Sequence, residues 1–531
     1  MKTKQPLFCG LIAVVSVLIF TTCLSIAGGT RAHTHQWSEW TQVSGDDATE
    51  ERVCKIDSAH IQTRLTGTGR FYFQAIDETA YRVRAGTLTT GEITIPAYYR
   101  PDADSEYLPV IEIGSNSDTY SSDIYSNGAF SGIDITFLNI SEGVTSIGNY
   151  AFCDCFSLTS VTIPVGVKSI GDSAFYRCFE LYSITISTGL RSIGNDAFSQ
   201  CRNLTRITIP ASVTSIGMSA FSAFIGSDNT ITIPMNLSTL TFEAGSQLQS
   251  IGISAFRGCT NLTNVTIPAG VTYIGPDAFH DTAWFNSQPD GLVYAGKVLY
   301  TYKGTMSANT VINNIRADTT TITDSAFYWC ENLAGITIPA GVTSIGREAF
   351  FNCENLTNIV LPARLTSIGN NAFYGCTGLT SITIPESVTS IGFEAFYRTA
   401  WFNSQPDGLV YAGKVLCTYK GTMPDNTVIN DMRADTIAIA DGVFVGYESL
   451  TGITLPTGLT FIGNYAFSGC TSLISITVPK TVLSIGESVF RRWTNQQTIN
   501  IEGHASEASA DRAWRAYWRY DCNAQINYLG H

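Results

Sequence analysis

The chain has 531 residues, 44% of them hydrophobic and only 14% charged, a composition that excludes an intrinsically disordered protein. A formal net charge of −13 lacks the basic surface that phosphate-backbone binding needs, and it disfavours electrostatic docking on anionic lipid as well. No nucleic-acid partner is therefore expected.

Residues 1–27 read as an export signal. Lys2 and Lys4 supply positive charge, Leu7 to Phe20 is apolar, and Ser25-Ile26-Ala27 places small residues where a signal peptidase cuts. The apolar run is short for a membrane span. Cys23 follows Phe20-Thr21-Thr22 as in a loose lipobox, so simple secretion and a lipid anchor to the membrane both stay open. The expected location is secreted or at the cell surface.

Residues 28–65 form a small module whose notable side chains are His33, His35, Trp37, Trp40, Cys54 and His60. His33, His35, Cys54 and His60 could in principle ligate zinc through imidazole and thiolate, but their spacing matches no standard finger. No metal is expected, and a surface module pinned by its aromatics is the preferred reading. Residues 66–130 carry strand-like runs at Arg70–Gln74, Glu92–Pro96 and Val110–Ile113, and are expected to form an N-terminal cap with a degenerate first coil. Ser115–Asn127, rich in Ser, Asp and Tyr, reads as an exposed loop.

From 131 to 500 the motif Ile-Gly-x-x-Ala-Phe recurs, most often every 23 residues. It stands at Ile147–Phe152, Ile170–Phe175, Ile193–Phe198, Ile216–Phe221, Ile251–Phe256, Ile274–Phe279, Ile345–Phe350, Ile368–Phe373, Ile391–Phe396 and Ile462–Phe467. Looser copies lie at Ile322–Phe327, Ile439–Phe444 and Ile485–Phe490. A period in the twenties means stacked coils, each too small to bury its own apolar face and dependent on its neighbours. In the coil 203–221, Leu204, Ile207 and Ile209 bracket a short strand with Thr208 facing out, and Pro210 ends it. Val213 and Ile216 turn inward, Gly217 is expected to make a tight corner with positive φ, and Ala220-Phe221 fills the core from a short helical turn. Between Phe221 and Ile251 the step lengthens to 35, so one coil carries an insertion near 226–245.

Cys155, Cys178, Cys201, Cys259, Cys330, Cys353, Cys376 and Cys470 each lie three residues after a motif Phe. Stacking predicts a buried ladder of thiols acting as small hydrophobes. Phe224, Thr282, Thr399, Tyr447 and Trp493 take the same position elsewhere, an exchange that packing tolerates and a disulfide framework would not. Cys54, Cys153, Cys417 and Cys522 fall outside the ladder, with free and paired states open.

The outward strand position reads Thr162, Thr185, Thr208, Thr266, Thr337, Thr383, Thr454 and Thr477, with Val360 as an exception. Threonine favours strands on propensity alone. The same stripe would also give a flat, weakly polar, low-charge platform for protein partners. Residues 282–299 recur letter for letter at 399–416, and the offset of 117 implies a tandem duplication of about 250–366 and 367–483. Each copy holds an aromatic island around a hairpin turned by Ala-Gly: Trp284, Phe285, Tyr294, Tyr300 and Tyr302, then Trp401, Phe402, Tyr411 and Tyr419. Packing is the preferred role, and Trp284, Tyr294, Trp401 and Tyr411 are the candidate binding aromatics. Residues 501–531 are expected to cap the array, with an amphipathic helix over 505–519 and a last strand at 524–528.

No metalloprotease, serine-hydrolase or phosphate-loop motif is present, and none of the six His recurs beside an acid or nucleophile. Neither an enzyme nor a cofactor is expected. The pattern Cys-x-x-Leu-Thr-Ser-Ile-Thr-Ile-Pro-x-x-Val-Thr-Ser-Ile-Gly-x-x-Ala-Phe, nearly intact at Cys376–Phe396, resembles the BspA-like, or TpLRR-type, leucine-rich repeat family. The resemblance covers roughly residues 110–495. It implies a leucine-rich repeat solenoid with a parallel β-sheet on the concave face and short helical turns or irregular segments opposite. It further implies a bacterial surface protein acting as an adhesin, with partners such as fibronectin, fibrinogen or other surface proteins. A structural, self-associating envelope protein is the alternative. Oligomeric state stays open.

Overall fold

The computed structural model describes residues 41–42, 49–53, 61–65, 71–76, 78–85, 90–99, 108–114, 128–225, 231–514 and 516–530. Cys23, the 28–65 module's His33, His35, Trp37, Trp40, Cys54 and His60, and the Ser115–Asn127 loop lie outside them. The chain divides into two compact units, Met1–Gln288 and Pro289–His531. Each is a β-solenoid of roughly 23-residue coils.

The first unit begins with antiparallel hairpins, Thr49–Val53 with Ile61–Leu65 and Phe71–Ala75 with Tyr81–Ala85. Tyr81–Ala85 pairs in parallel with Leu108–Ile113, which pairs in parallel with Ser146–Ile147 of the first regular coil. The hairpin thereby covers an end of the ladder that would otherwise present unpaired backbone.

Each regular coil contributes three strips of coil-to-coil hydrogen bonds. The first is the Leu-x-x-Ile-x-Ile strand: Ser160–Ile163 lies in register beside Ser183–Ile186, and Arg206–Ile209 beside Thr239–Phe242. The second is a two-residue strand at Ser-Ile, running Ser146, Ser169, Ser192, Ser215, Ser250 and Tyr273 in register. The third runs through the motif's turn. Tyr150, Phe152 and Asp154 donate their N–H groups to the carbonyls of Asp172, Ala174 and Tyr176 at 2.7–2.8 Å. This third strip is a chain of turns and not a helix: residues four apart take positive φ, as at Ser173 (53°) and Arg177 (59°). The insertion folds out as an antiparallel hairpin, Phe224–Ile225 with Ile231–Ile233, before Thr239–Phe242 rejoins the ladder.

The expected positive φ at Gly217 is not there. The left-handed residue is Ser219, at φ 53°. Gly217 is needed for a different reason: a Cβ there would sit 2.5 Å from the Gly194 carbonyl carbon and the Asn195 nitrogen of the preceding coil. The coils touch at this point, so only hydrogen fits.

In the second unit the same three strips recur. Short strands Thr321–Ile322, Ser344–Ile345, Ser367–Ile368 and Ser390–Ile391 form one sheet, and Ala438–Ile439, Phe461–Ile462 and Ser484–Ile485 belong to another. Each sheet opens with an antiparallel hairpin, Gly291–Ala295 with Val298–Lys303 and Gly408–Ala412 with Val415–Lys420. Gly296 and Gly413 turn these hairpins with φ of 64° and 63°, a conformation glycine takes without strain. At the C-terminus lie the helix Glu507–Trp514 and the strand Gln525–Leu529, the latter parallel to Thr498–Glu502.

The core is columnar. In the first unit Phe130, Phe152, Phe175, Phe198, Phe221, Phe256 and Phe279 stack with ring centroids 5.2–5.4 Å apart, all fully buried. Phe327, Phe350, Phe373 and Phe396 form a column in the second unit, and Phe444, Phe467 and Phe490 another. Offset stacking of this kind adds to the free energy of burying the rings themselves.

The thiol ladder is buried except at Cys330, which is half-buried, and it does more than fill space. Cys155, Cys178, Cys201, Cys259, Cys353, Cys376 and Cys470 each donate Sγ–H to a motif Phe carbonyl of the coil before, at 3.0–3.3 Å. Trp493 makes the same bond through Nε1 to Phe467 at 2.9 Å. Phe224 is not part of the ladder, because it has left with the inserted hairpin and is exposed. Among the described residues every cysteine is free, Cys153, Cys417 and Cys522 included. Burial pushes the thiols of Cys153 and Cys417 up to about 12, so they stay protonated and unreactive at neutral pH.

Candidate binding surface

All eight threonines of the predicted stripe are exposed. Thr162 lies directly beside Thr185, and Thr208 beside Thr241, which sequence reasoning missed because the insertion shifts the spacing. Thr337 pairs with Val360, and Thr477 with Asn500. Thr454 stands just past the strand Leu450–Ile453 and still donates its N–H to the Ile429 carbonyl. Thr266 and Thr383 lie outside any strand. Both belong to the coil before an island, where Trp284 and Trp401 donate their backbone N–H to Leu262 and Leu379 at 2.7 Å. A helix residue takes the place of the next strand there. The stripe is thus a set of short columns, each in register within itself.

The islands are built to end the aromatic columns. Thr282 caps the helix Ala283–Asn286 by accepting the Phe285 N–H, and Thr399 caps Ala400–Asn403 through Phe402. This capping explains why Thr replaces Cys at these two positions. The caps aim Trp284 edge-on at Phe279 (centroids 5.3 Å, 69°) and Trp401 at Phe396 (5.2 Å, 70°). Trp493 and Trp518 close the third column on Phe490 in the same manner. Trp284 and Trp401 are half-buried, and their rings serve packing.

Tyr294 and Tyr411 are half-buried as well. Tyr294 accepts the Arg316 N–H at its hydroxyl, the Arg316 guanidinium lies 4.9 Å from its ring, and that guanidinium holds Asp318 through two hydrogen bonds. Tyr411, Arg433 and Asp435 repeat the arrangement. The Arg316 hydrogen bonds hold the Asp318 carboxyl below its ordinary range, and Arg433 does the same for Asp435. Burial raises the Tyr294 phenol. These are clamps on the islands, with their polar atoms already engaged.

A second outer feature escaped the sequence reading. The residue after the motif Phe is aromatic in four successive coils: Tyr328, Phe351, Tyr374 and Tyr397. Their rings stack along the turn strip, 5.1, 4.9 and 5.6 Å apart, with Tyr328 and Tyr397 exposed. The register was visible in the sequence, but the outward direction was not. In the first unit a different position, the residue after the ladder cysteine, gives a shorter stack of Phe156 and Phe179, with Arg202 over Phe179 at 3.9 Å. Phe351 and Tyr374 have a ring neighbour on either side, whereas Tyr328 and Tyr397 end the row.

In several coils a carboxylate or amide occupies the first variable position of the motif. Asn149, Asp172 and Asn195 each accept the backbone N–H one coil on, at 2.7–2.8 Å. Nearby, burial together with the Asp172 carboxylate pushes Asp196 up to about 6. A carboxyl raised in the folded state stabilises folding below its ordinary value near 4, and that contribution is lost as pH rises through about 6. Asp196→Asn should therefore stabilise the protein at pH 7.5, by on the order of 1 kcal/mol once solvent screening is allowed for, and give no gain at pH 4. Asn tolerates the φ of 51° found there. Thermal melts at the two pH values check this, and an equal gain at both would show that charge is not the cause.

Among the described residues no group of His, Cys, Asp or Glu is placed to hold a metal, and no helix is long and apolar enough to cross a membrane. The BspA type leucine-rich repeat region, in six copies, matches residues 123–244, 235–288, 300–404 and 428–511. The chain belongs to the BspA-type leucine-rich repeat family. Comparison with curated proteins gives no match. Among solved structures, this BspA-type protein is similar to a leucine-rich cell surface protein from Faecalibacterium prausnitzii, at 24% identity over 88% of this chain and 95% of that one, TM-score 0.33. It is similar also to a leucine-rich repeat protein from Bacteroides ovatus, at 21% identity over 87% and 99%, TM-score 0.35. A leucine-rich repeat protein of T. pallidum matches at 23% identity over 37% and 90%, TM-score 0.25.

Proposed function

We propose that this BspA-type protein is an exported, non-enzymatic surface protein that binds extended protein partners through the outward side of its Leu-x-x-Ile-x-Ile strands. The observation that carries the reading is the in-register pair of columns Thr162–Thr185 and Thr208–Thr241, whose threonines are exposed and carry no formal charge. Such a surface has little desolvation cost and repeats at the spacing of adjacent strands, about 4.8 Å, which suits an extended chain better than a small molecule. The signal-like residues 1–27 support export, and the family resemblance supports an adhesive role. Trp284, Tyr294, Trp401 and Tyr411 act indirectly, by holding the coils that present the face.

Surface plasmon resonance of residues 28–531 against matrix and plasma glycoproteins, fibronectin and fibrinogen among them, tests the reading. Saturable binding is expected. Thr162→Arg, Thr185→Arg and Thr208→Arg combined should weaken it by about tenfold or more, since three guanidinium groups would stand where the partner packs, with the melting temperature unchanged. Binding that survives all three changes would move the site off this face. Tyr328→Ser with Tyr397→Ser would then test the aromatic turn strip. Absence of binding across the panel would favour the structural envelope reading.

A further inference from the structure

We propose that the strand Gln525–Leu529 is a self-association edge whose partner is the same strand of a second copy of this chain, paired antiparallel. The inference stands apart from the binding face above and rests on how the last coil is closed.

Two of the three strips are covered at this end. Ser488, Val489 and Arg492 donate their N–H groups to the carbonyls of Tyr517, Trp518 and Asp521, which completes the turn strip. The helix Glu507–Trp514 covers the short-strand strip, with Trp514 Nε1 donating to the Val482 carbonyl at 3.2 Å. The strand strip instead gains one more member, Gln525–Leu529 on Thr498–Glu502. Gln525 N–H donates to Gln497, and the Leu529 carbonyl accepts from Gly503. Backbone groups alternate sides along a strand, so residues 525, 527 and 529 point inward to this partner. Those of Ile526 and Tyr528 point to the open edge, and among the described residues no strand pairs with that side.

Open edges usually carry Lys, Pro or a bulge that blocks pairing. Gln525-Ile-Asn-Tyr-Leu529 has none of these. The residues that build and close the last coil also include the most exposed apolar side chains of the described structure: Leu483 at 73%, Ile474 at 70% and Tyr517 at 64%.

A second copy fits because the strand complements itself. With a two-fold axis at Asn527, Ile526 of one copy meets Tyr528 of the other, and each such pair exchanges both N–H···O bonds. On the inner face, Ile526 and Tyr528 already pack against the second unit's core, which the pairing would extend. On the outer face, Asn527 Nδ2 donates to Asn500 Oδ1 at 2.9 Å, and the amide ladder would continue to Asn527 of the second copy.

Sedimentation of the full chain over a concentration series tests this, with wild type beside Asn527→Lys, Tyr528→Pro and the control Thr477→Lys. Asn527 is exposed, so its change leaves folding intact while setting two ammonium groups opposite each other. Tyr528→Pro removes an outward donor and no internal bond. Wild type and Thr477→Lys should dimerise alike, with Asn527→Lys weaker by about tenfold or more and Tyr528→Pro monomeric. A chain that stays monomeric at every concentration overturns the proposal. A dimer of unchanged strength in Asn527→Lys overturns it too, by assigning association to another surface or partner. Matrix-protein binding is measured separately, so failure of one reading leaves the other standing.

Discussion

Phe373→Ala should lower the unfolding free energy by about 3–5 kcal/mol, the range for truncating a fully buried aromatic. Phe373 has no solvent exposure and stacks between Phe350 and Phe396 at 5.2 and 5.5 Å. The cavity would open in mid-column, where coils above and below are held by hydrogen bonds from Phe373 to Ala395 and from Phe350 to Ala372. Those bonds oppose collapse, so the cost should fall in the upper part of the range. Denaturant unfolding beside the exposed control Thr383→Ala checks it. A midpoint shift no larger than the control's would mean that neighbouring coils close over the gap.

Gly369→Ala should cost about 3 kcal/mol, a methyl group being enough to force coils apart. The added Cβ would lie 2.5 Å from the Arg347 nitrogen and 2.6 Å from the Gly346 carbonyl carbon. Both are backbone atoms within the hydrogen-bonded stack, so neither can swing away as a side chain would. The sign makes the test sharp. At Gly458, where the nearest atom to an added Cβ is 4.0 Å away, the same change should be neutral or stabilise by about 0.4–1 kcal/mol by restricting the unfolded chain. Equal effects at the two glycines would show that coil spacing at Gly369 is slack.

Much of the fold was legible because burial in a solenoid repeats in one dimension. Leu204, Ile207, Ile209, Val213, Ile216, Ala220 and Phe221 are all buried, and Thr208 is exposed, as the alternation requires. The helical turn at Ala220-Phe221 was the misreading. Helical spacing and a chain of turns place the same two side chains inward, and only coil-to-coil hydrogen bonds separate them.

The candidate surface was less legible. Thr266 and Thr383 carry the same local sequence signal as Thr185, yet sit outside any strand, because a strand needs a neighbour and the next coil is an island. For Trp284 and Trp401 the sequence left packing, the preferred role, beside binding, and the column of phenylalanines ending beside each makes it a plug.

The sequence by itself determined the repeat, the inward set of each coil, the duplication and the membership in the BspA-type family. The duplication follows from an offset of 117, and the rest from a residue's place within its own 23-residue period. The tertiary structure decided what depends on atoms one period away: that the motif glycine answers to contact and not to φ, that the cysteines donate to carbonyls, and which threonines share a column. Those contacts join residues far apart in the chain, and their distances are set by stacking, which no single coil encodes.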